Sequence, residues 1–387
     1  MQKSTARRTL TFDCCLVTSD LRPPASGLRG LRVCFIAGTL GQGGAERQLF
    51  YMLQALQEAG TCVKVLSLSE GEFWESPIRR LGIEVCYVGG SPSRLKRLIQ
   101  IGREVRRFKP HIVQAQHFYV NLYAVIAARL SGCREIGAIR SNVTSELTDV
   151  GGPLGRASLR RSRMLASNSR AAVRSLISLG VPESRLFFLP NVIDNSRFTP
   201  GPSRQADAPV ILGVGSLVRV KRFDLFLQAL AQLNSKYPVR GIIAGDGPLR
   251  VELENQAGRL GLLSGTVEFP GRVSDPVDLY RRASLFLLTS DHEGTPNVVL
   301  EAMACGVPVV ATRVGDVPDL LGDGERGRLV EPGDLEGLVT AIGDLLYDSQ
   351  SRTRLATQAR DYVQSQHSLT ALTEHLAKLY SLTLAGR

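Results

Sequence analysis

The chain writes one pattern twice, and that repetition limits the folds open to it. Short apolar runs at 31–37, 63–68, 84–88, 111–115, 136–139 and 164–166 read as buried strands, with helical patterns between most of them. A second alternating series follows at 210–214, 241–244, 267–269, 285–288 and 307–311. Between them lies a Pro/Asn/Gly-rich break, from Leu189-Pro-Asn-Val-Ile-Asp194 through Pro200-Gly-Pro202 to Pro209. Apolar strands alternating with helices argue parallel sheets covered on both faces. The expected fold class is α/β, with two Rossmann-like, doubly wound parallel-sheet domains facing a central cleft. The 387 residues suffice for two domains of ordinary size, expected at 31–195 and 196–365. Residues 1–30 read as a poorly ordered leader, for which an organelle-targeting function stays open.

Composition narrows the class. A chain that is 43% hydrophobic and 21% charged is globular rather than disordered. No run approaches 18 apolar residues, which argues against a membrane-spanning helix. Asp13 interrupts the apolar stretch after Lys3, Arg7 and Arg8, which argues against a secretory signal. Seven cysteines, an odd number without a CxxC pair, favour a reducing compartment over a disulfide or metal framework. The expected location is cytoplasmic.

Charge is divided unevenly. Residues 1–200 carry 28 Lys and Arg against 14 Asp and Glu, whereas residues 201–365 carry 17 against 21. The excess clusters at Arg94, Lys96, Arg97, Arg103, Arg106, Arg107 and Lys109, and again at Arg156, Arg160, Arg161, Arg163, Arg170 and Arg174. Leu95, Leu98, Ile99, Val105 and Phe108 interleave with the first cluster at about helical spacing. This pattern suits a helix packed on the sheet with a solvated charged face. It also suits docking on anionic lipid, worth roughly 1 kcal/mol per basic residue near the surface. Peripheral contact with the inner face of a membrane is thus a hypothesis. Nucleic acid is not expected as a partner, since no aromatic interleaving or reader motif accompanies the charge.

The densest chemistry lies at Glu293-Gly-Thr-Pro-Asn-Val-Val-Leu-Glu301. Thr295 suits a helix N-cap and Pro296 the first helical position, with Val298 beginning an apolar run. Glu301 then sits more than one turn inside a buried helix and Glu293 in the loop ahead. At 1.5 Å per residue their carboxylates are on the order of 10 Å apart, with first-turn N–H groups between them. That arrangement suits a ligand with hydroxyls at both ends and phosphate between. The bland alternative is two surface acids favoured by the helix dipole.

The segment resembles the E-x7-E signature of retaining glycosyltransferases of family 4, which have the two-domain GT-B fold. The resemblance extends over about 31–365. It implies that Glu293 lies beside the donor sugar and that Glu301 holds the ribose hydroxyls, with Gly294, Thr295, Pro296, Asn297 and Val298 lining the site. Gly215-Ser-Leu-Val-Arg-Val-Lys221 resembles the family's G-x-x-x-x-x-K segment, so Arg219 and Lys221 are expected to grip the diphosphate. Cations at a helix start oppose the dipole, which independently favours an anionic partner. Gly43 and Gly44 resemble the family's Gly-Gly loop, which faces the donor across the cleft. Glu46, just after them, reads equally as a favourable first-turn acid. His117 stands where the family often places a donor-sugar contact. Arg272 and Val273 fall where the base is contacted, and Arg140, Ser141 and Asn142 stand on the acceptor side. Asn191-Val-Ile-Asp194 resembles a hinge turn, and 366–387 a helix crossing back to the first domain.

No D-x-D triplet occurs, so no metal is expected and the basic residues are left to neutralise the diphosphate. The resemblance implies transfer of a sugar from a nucleotide-diphosphate sugar to an acceptor hydroxyl, with a lipid-linked or glycan-precursor acceptor suggested by the basic first domain. A GT-B epimerase acting on the donor alone, or a non-catalytic nucleotide-sugar binder, are the alternatives.

Overall fold

The computed structural model describes residues 27–140, 143–201 and 208–386. Seven parallel strands form the first sheet, in the order β3-β2-β1-β4-β5-β6-β7. They are β1 (Arg32–Ala37), β2 (Cys62–Ser67), β3 (Glu84–Tyr87), β4 (Ile112–Ala115), β5 (Arg134–Ile139), β6 (Met164–Ser167) and β7 (Leu186–Phe188). The second sheet has six, in the order β10-β9-β8-β11-β12-β13. These are β8 (Val210–Val214), β9 (Arg240–Ala244), β10 (Val267–Gly271), β11 (Leu285–Leu288), β12 (Val309–Thr312) and β13 (Arg328–Val330). Strands β7 and β13 were not expected from sequence. Each has three residues at a sheet edge, too few to display a periodicity.

Both sheets reverse their strand order internally, between β1 and β4 in the first and between β8 and β11 in the second. At such a point neighbouring connections leave in opposite directions and open a crevice beyond the strand ends. The loops after β1 and β4 carry Gly43, Gly44 and His117. Those after β8 and β11 carry Lys221 and Glu293.

Central strands β1, β4, β8 and β11 are almost wholly buried, as parallel strands covered on both faces must be. The helix Gly44–Glu58 turns Leu49, Met52, Leu53 and Leu56 onto the first sheet. The chain leaves the first domain through 191–194, and after the helix Ser349–Gln366 it returns. The last helix, Leu369–Ala385, inserts Leu372, Leu376, Leu379 and Tyr380 into the first domain's core. There the Tyr380 hydroxyl donates to Gln114 Oε1 at 2.8 Å. The outgoing and returning segments are pinned together, Ile193 N–H donating to the His367 carbonyl at 2.8 Å. His367 Nδ1 lies 2.6 Å from the Asn191 carbonyl, and burial lowers the imidazole pKa below its ordinary value. A neutral ring suits this bond, with Nδ1–H as donor.

The helix Arg94–Phe108 divides its apolar residues. Ile101 and Val105 are buried, while Leu95 and Ile99 are exposed on the outward face beside Lys96, Arg103, Arg106 and Arg107.

Candidate active site

The cleft is assembled from four loops and one helix start. The helix Asn297–Ala304 follows the turn Gly294-Thr-Pro296. Pro296 is its N-cap, and no side chain caps it. The sequence expectation placed Thr295 at the cap, but its hydroxyl points elsewhere, lying 2.5 Å from the Asn168 carbonyl and 2.7 Å from Asp316 Oδ2. Val299 N–H donates to the Pro296 carbonyl at 3.2 Å, and with no side-chain cap the N–H groups of Asn297 and Val298 are left for a ligand at this helix start.

Glu293 Oε1 accepts from Lys221 Nζ at 2.6 Å and from Ser290 Oγ at 2.7 Å. Lys221 is placed by backbone rather than by chance. Asp291 N–H donates to the Val220 carbonyl at 2.8 Å, and Thr289 Oγ1 to the Lys221 carbonyl at 2.9 Å. The ends of β8 and β11 are thus stitched together, with an acid and a base meeting over the switch point. Arg219 projects, exposed, from the same short turn. Arg272 is also exposed and Val273 half-buried, just beyond the end of β10.

Glu301 sits one turn into the helix Asn297–Ala304 and is buried, as expected. Its side chain is 1% exposed. Oε2 accepts from the Tyr280 hydroxyl at 2.7 Å, and Oε1 lies 2.6 Å from Arg47 Nη1 of the first domain. Burial disfavours the Arg47 charge, but Glu301 together with Tyr51 and Tyr280 offsets this and raises its pKa. Burial and then the neighbouring Glu301 push the Tyr280 phenol well above its ordinary range, so it remains a donor. Neither Arg47 nor Tyr280 was foreseen. Arg47 could have been, since a cation in the first turn of a helix is the same anomaly that drew notice to Lys221.

On the opposite wall, Gly44 lies against Asn297. A Cβ there would come 2.6 Å from Asn297 Nδ2, which donates to the Gly44 carbonyl at 3.2 Å. Asn297 Oδ1 also accepts from Asn191 Nδ2 at 2.9 Å and Gln48 Nε2 at 3.2 Å. The glycine loop therefore meets the uncapped helix start directly. Gly43 makes room for Glu46, whose Oε2 would stand 2.1 Å from a Cβ at 43.

His117 sits at the end of β4 with both nitrogens occupied. Nδ1 accepts from Gly38 N–H at 3.1 Å, which leaves the proton on Nε2 to be donated to Glu46 Oε1 at 3.0 Å. Glu46 thus orients His117 rather than serving only the helix dipole. Arg140 ends β5 with Nε donating to the Gln116 carbonyl at 3.2 Å, and burial lowers its pKa to about 10. Ser141 and Asn142 lie outside the described residues. A cavity of about 360 Å3 opens beside Glu293, between Ala171, Ala172 and Ser175 of the first domain and Arg313 and Gly315 of the second.

Residues 196–362 match the family described as glycosyl transferases group 1, and residues 42–197 match glycosyltransferase family 4. A GDP-mannose-dependent alpha-(1-6)-phosphatidylinositol monomannoside mannosyltransferase of Mycolicibacterium smegmatis is 30% identical over 273 residues, covering 64% of this chain and 72% of the relative. The chain belongs to glycosyltransferase family 4. This family 4 glycosyltransferase is also 29% identical over 356 residues to the lipopolysaccharide core biosynthesis glycosyltransferase LpsE of Rhizobium meliloti, covering 87% of this chain and 95% of the relative. Its fold is GT-B. The Anabaena protein HepE, solved with UDP and glucose, superposes with a TM-score of 0.81 at 21% identity, over 91% of this chain and 99% of that one. Among the described residues no helix of this glycosyltransferase is long and apolar enough to cross a membrane.

Proposed function

We propose that this glycosyltransferase moves a sugar from a nucleotide-diphosphate donor to an acceptor hydroxyl, with retention at the anomeric carbon. The observation that carries this reading is the Glu293–Lys221 pair, held at 2.6 Å beside an uncapped helix start and a cavity. The diphosphate takes the uncapped N–H groups of the helix Asn297–Ala304, joined by Lys221 and Arg219. Negative charge builds on the leaving nucleoside diphosphate, and fixed cations and N–H dipoles at that position are what lower such a barrier. Glu293 and the backbone of Gly294 and Thr295 orient the sugar. His117 and the glycine loop close over it from the first domain and exclude water. Ribose hydroxyls reach Glu301 only by taking the place of Arg47.

The relatives' names speak of lipopolysaccharide and phosphatidylinositol mannoside, which supports a lipid-linked or glycan-precursor acceptor. Thermal-shift titration with uridine, guanosine and adenosine diphosphate sugars is expected to single out one donor. Turnover with that donor is expected to persist in EDTA, because Lys221 and Arg219 supply the charge. Loss on chelation with recovery on added magnesium counts against the metal-independent step. Product release without acceptor points to an epimerase or hydrolase instead. The anomeric configuration of the product, read by proton NMR, tests retention.

The outward face of the helix Arg94–Phe108, with Leu95 and Ile99 amid four exposed cations, is the surface for membrane contact. Sedimentation with vesicles is expected to be stronger on phosphatidylglycerol than on phosphatidylcholine and to weaken with salt. Equal binding to both removes this part of the reading.

A further inference from the structure

Asp316 belongs to the second domain, yet three of its hydrogen bonds reach the first. The residue is 2% exposed. Oδ1 accepts from the Ser169 hydroxyl at 2.9 Å and from Ala171 N–H at 2.8 Å, and Oδ2 accepts from Arg170 N–H at 2.8 Å. These groups form the N-terminus of the helix Arg170–Ser178, where the N-cap Ser169 accepts from Ala172 N–H at 3.1 Å through its hydroxyl oxygen, and an acid from the other domain completes the cap by taking the N–H groups of Arg170 and Ala171. On its other side Asp316 is fastened to the loop of Glu293. Its N–H donates to the Gly294 carbonyl at 3.0 Å, and the Thr295 hydroxyl touches Oδ2. Gly315 permits this closeness, with φ of 53° and a would-be Cβ only 2.3 Å from the Glu293 carbonyl. The rigid chain therefore runs from helix start to carboxylate to Gly294 to Glu293. The same contact closes the cavity beside Glu293, whose two walls are that helix and the loop 291–293 with Gly315.

We infer that Asp316 is an interdomain latch and a positioning residue for the transfer. It fixes the first domain's acceptor-side wall at the working distance from Glu293, without touching the nucleotide. This rests on the functional reading above, in which Glu293 adjoins the donor sugar. A carboxylate matched to two N–H groups and a hydroxyl at a helix start is a strong, directional contact, and a misplacement of about 1 Å at a reacting centre costs on the order of 10²-fold in rate.

The test compares Asp316→Asn and Ser169→Ala with the unaltered full chain. In both variants turnover with the selected donor is expected to fall by at least ~10-fold, while affinity for the tightest-binding of UDP, GDP and ADP stays unchanged. Small-angle scattering of the nucleotide-free protein is expected to show a larger radius of gyration for Asp316→Asn. The double variant is expected to lose little more than Asp316→Asn alone, since the Ser169–Asp316 hydrogen bond is cut in both. Full turnover and unchanged scattering in both variants overturn the latch. Parallel loss of nucleotide affinity overturns it also, because that marks general damage to the second domain. Should Asp316→Asn not fold, Ser169→Ala decides, with a thermal melt beside it because the same hydroxyl caps Ala172 N–H at 3.1 Å. If the unaltered protein binds none of UDP, GDP and ADP, the functional reading fails, whereas the scattering comparison still judges the latch.

Discussion

Glu293→Ala is expected to lower kcat/KM by about 10²–10³-fold, the usual consequence of removing one group aimed at a reacting centre. The fold is expected to survive. Glu293 lies in a loop, and its two partners are a hydroxyl and an ammonium whose side chain is 24% exposed. Once the acid is gone, Lys221 is rehydrated from its open side, so little uncompensated charge is left buried. Nucleotide affinity is expected to hold or rise, because Lys221 is released from its partner and is free to meet phosphate. Glu293→Gln keeps an acceptor for Ser290 but no charge, and is expected to fall close to Ala. Steady-state kinetics beside a thermal melt separates the two effects. Unimpaired turnover in the alanine variant would remove Glu293 from the chemistry.

Arg47→Met is expected to behave in the opposite way, with its main cost in stability. Glu301 has almost no contact with solvent, and without Arg47 it keeps only the Tyr280 hydroxyl. Leaving one buried charge uncompensated costs about 3–5 kcal/mol, a large part of the roughly 5–15 kcal/mol that holds a typical domain together. Adding Glu301→Gln is expected to recover most of the loss, because the amide oxygen still accepts from Tyr280 and no charge remains. The double-mutant cycle in urea reads this directly as a strongly non-additive pair. A cost below about 1 kcal/mol for Arg47→Met shows that Glu301 finds water or a proton instead. Any nucleotide that engages Glu301 displaces Arg47, so bound nucleotide is expected to shrink the penalty of the substitution.

Much of the architecture was legible along the chain because its signals are local. Buried parallel strands show as uninterrupted apolar runs, and central strands such as β1 and β8 were placed within a residue or two of their observed ends. The three-residue edge strands β7 and β13 carry too little pattern to be seen. The Thr295 cap was misjudged because a Thr-Pro pair satisfies the local rule, while its hydroxyl found partners at Asn168 and Asp316, far away in sequence.

The same division runs through the site. Capping and apolar pattern set Glu293 in a loop and Glu301 one turn into a buried helix, and the family's G-x-x-x-x-x-K segment, supported by the helix dipole, drew attention to Lys221, because each depends on a few neighbouring residues. Only the tertiary structure decided which partners those groups meet: Lys221 with Glu293, Arg47 with Glu301, Glu46 with His117, Asp316 with the start of the helix Arg170–Ser178. These pairings join residues from 71 to 254 positions apart: Glu46–His117 and Lys221–Glu293 meet where one sheet reverses its strand order, and Arg47–Glu301 and Asp316–Ala171 where the two domains face one another. No local preference encodes that, because the free energy of the first two contacts exists only after a whole domain has folded, and that of the last two only after both domains have.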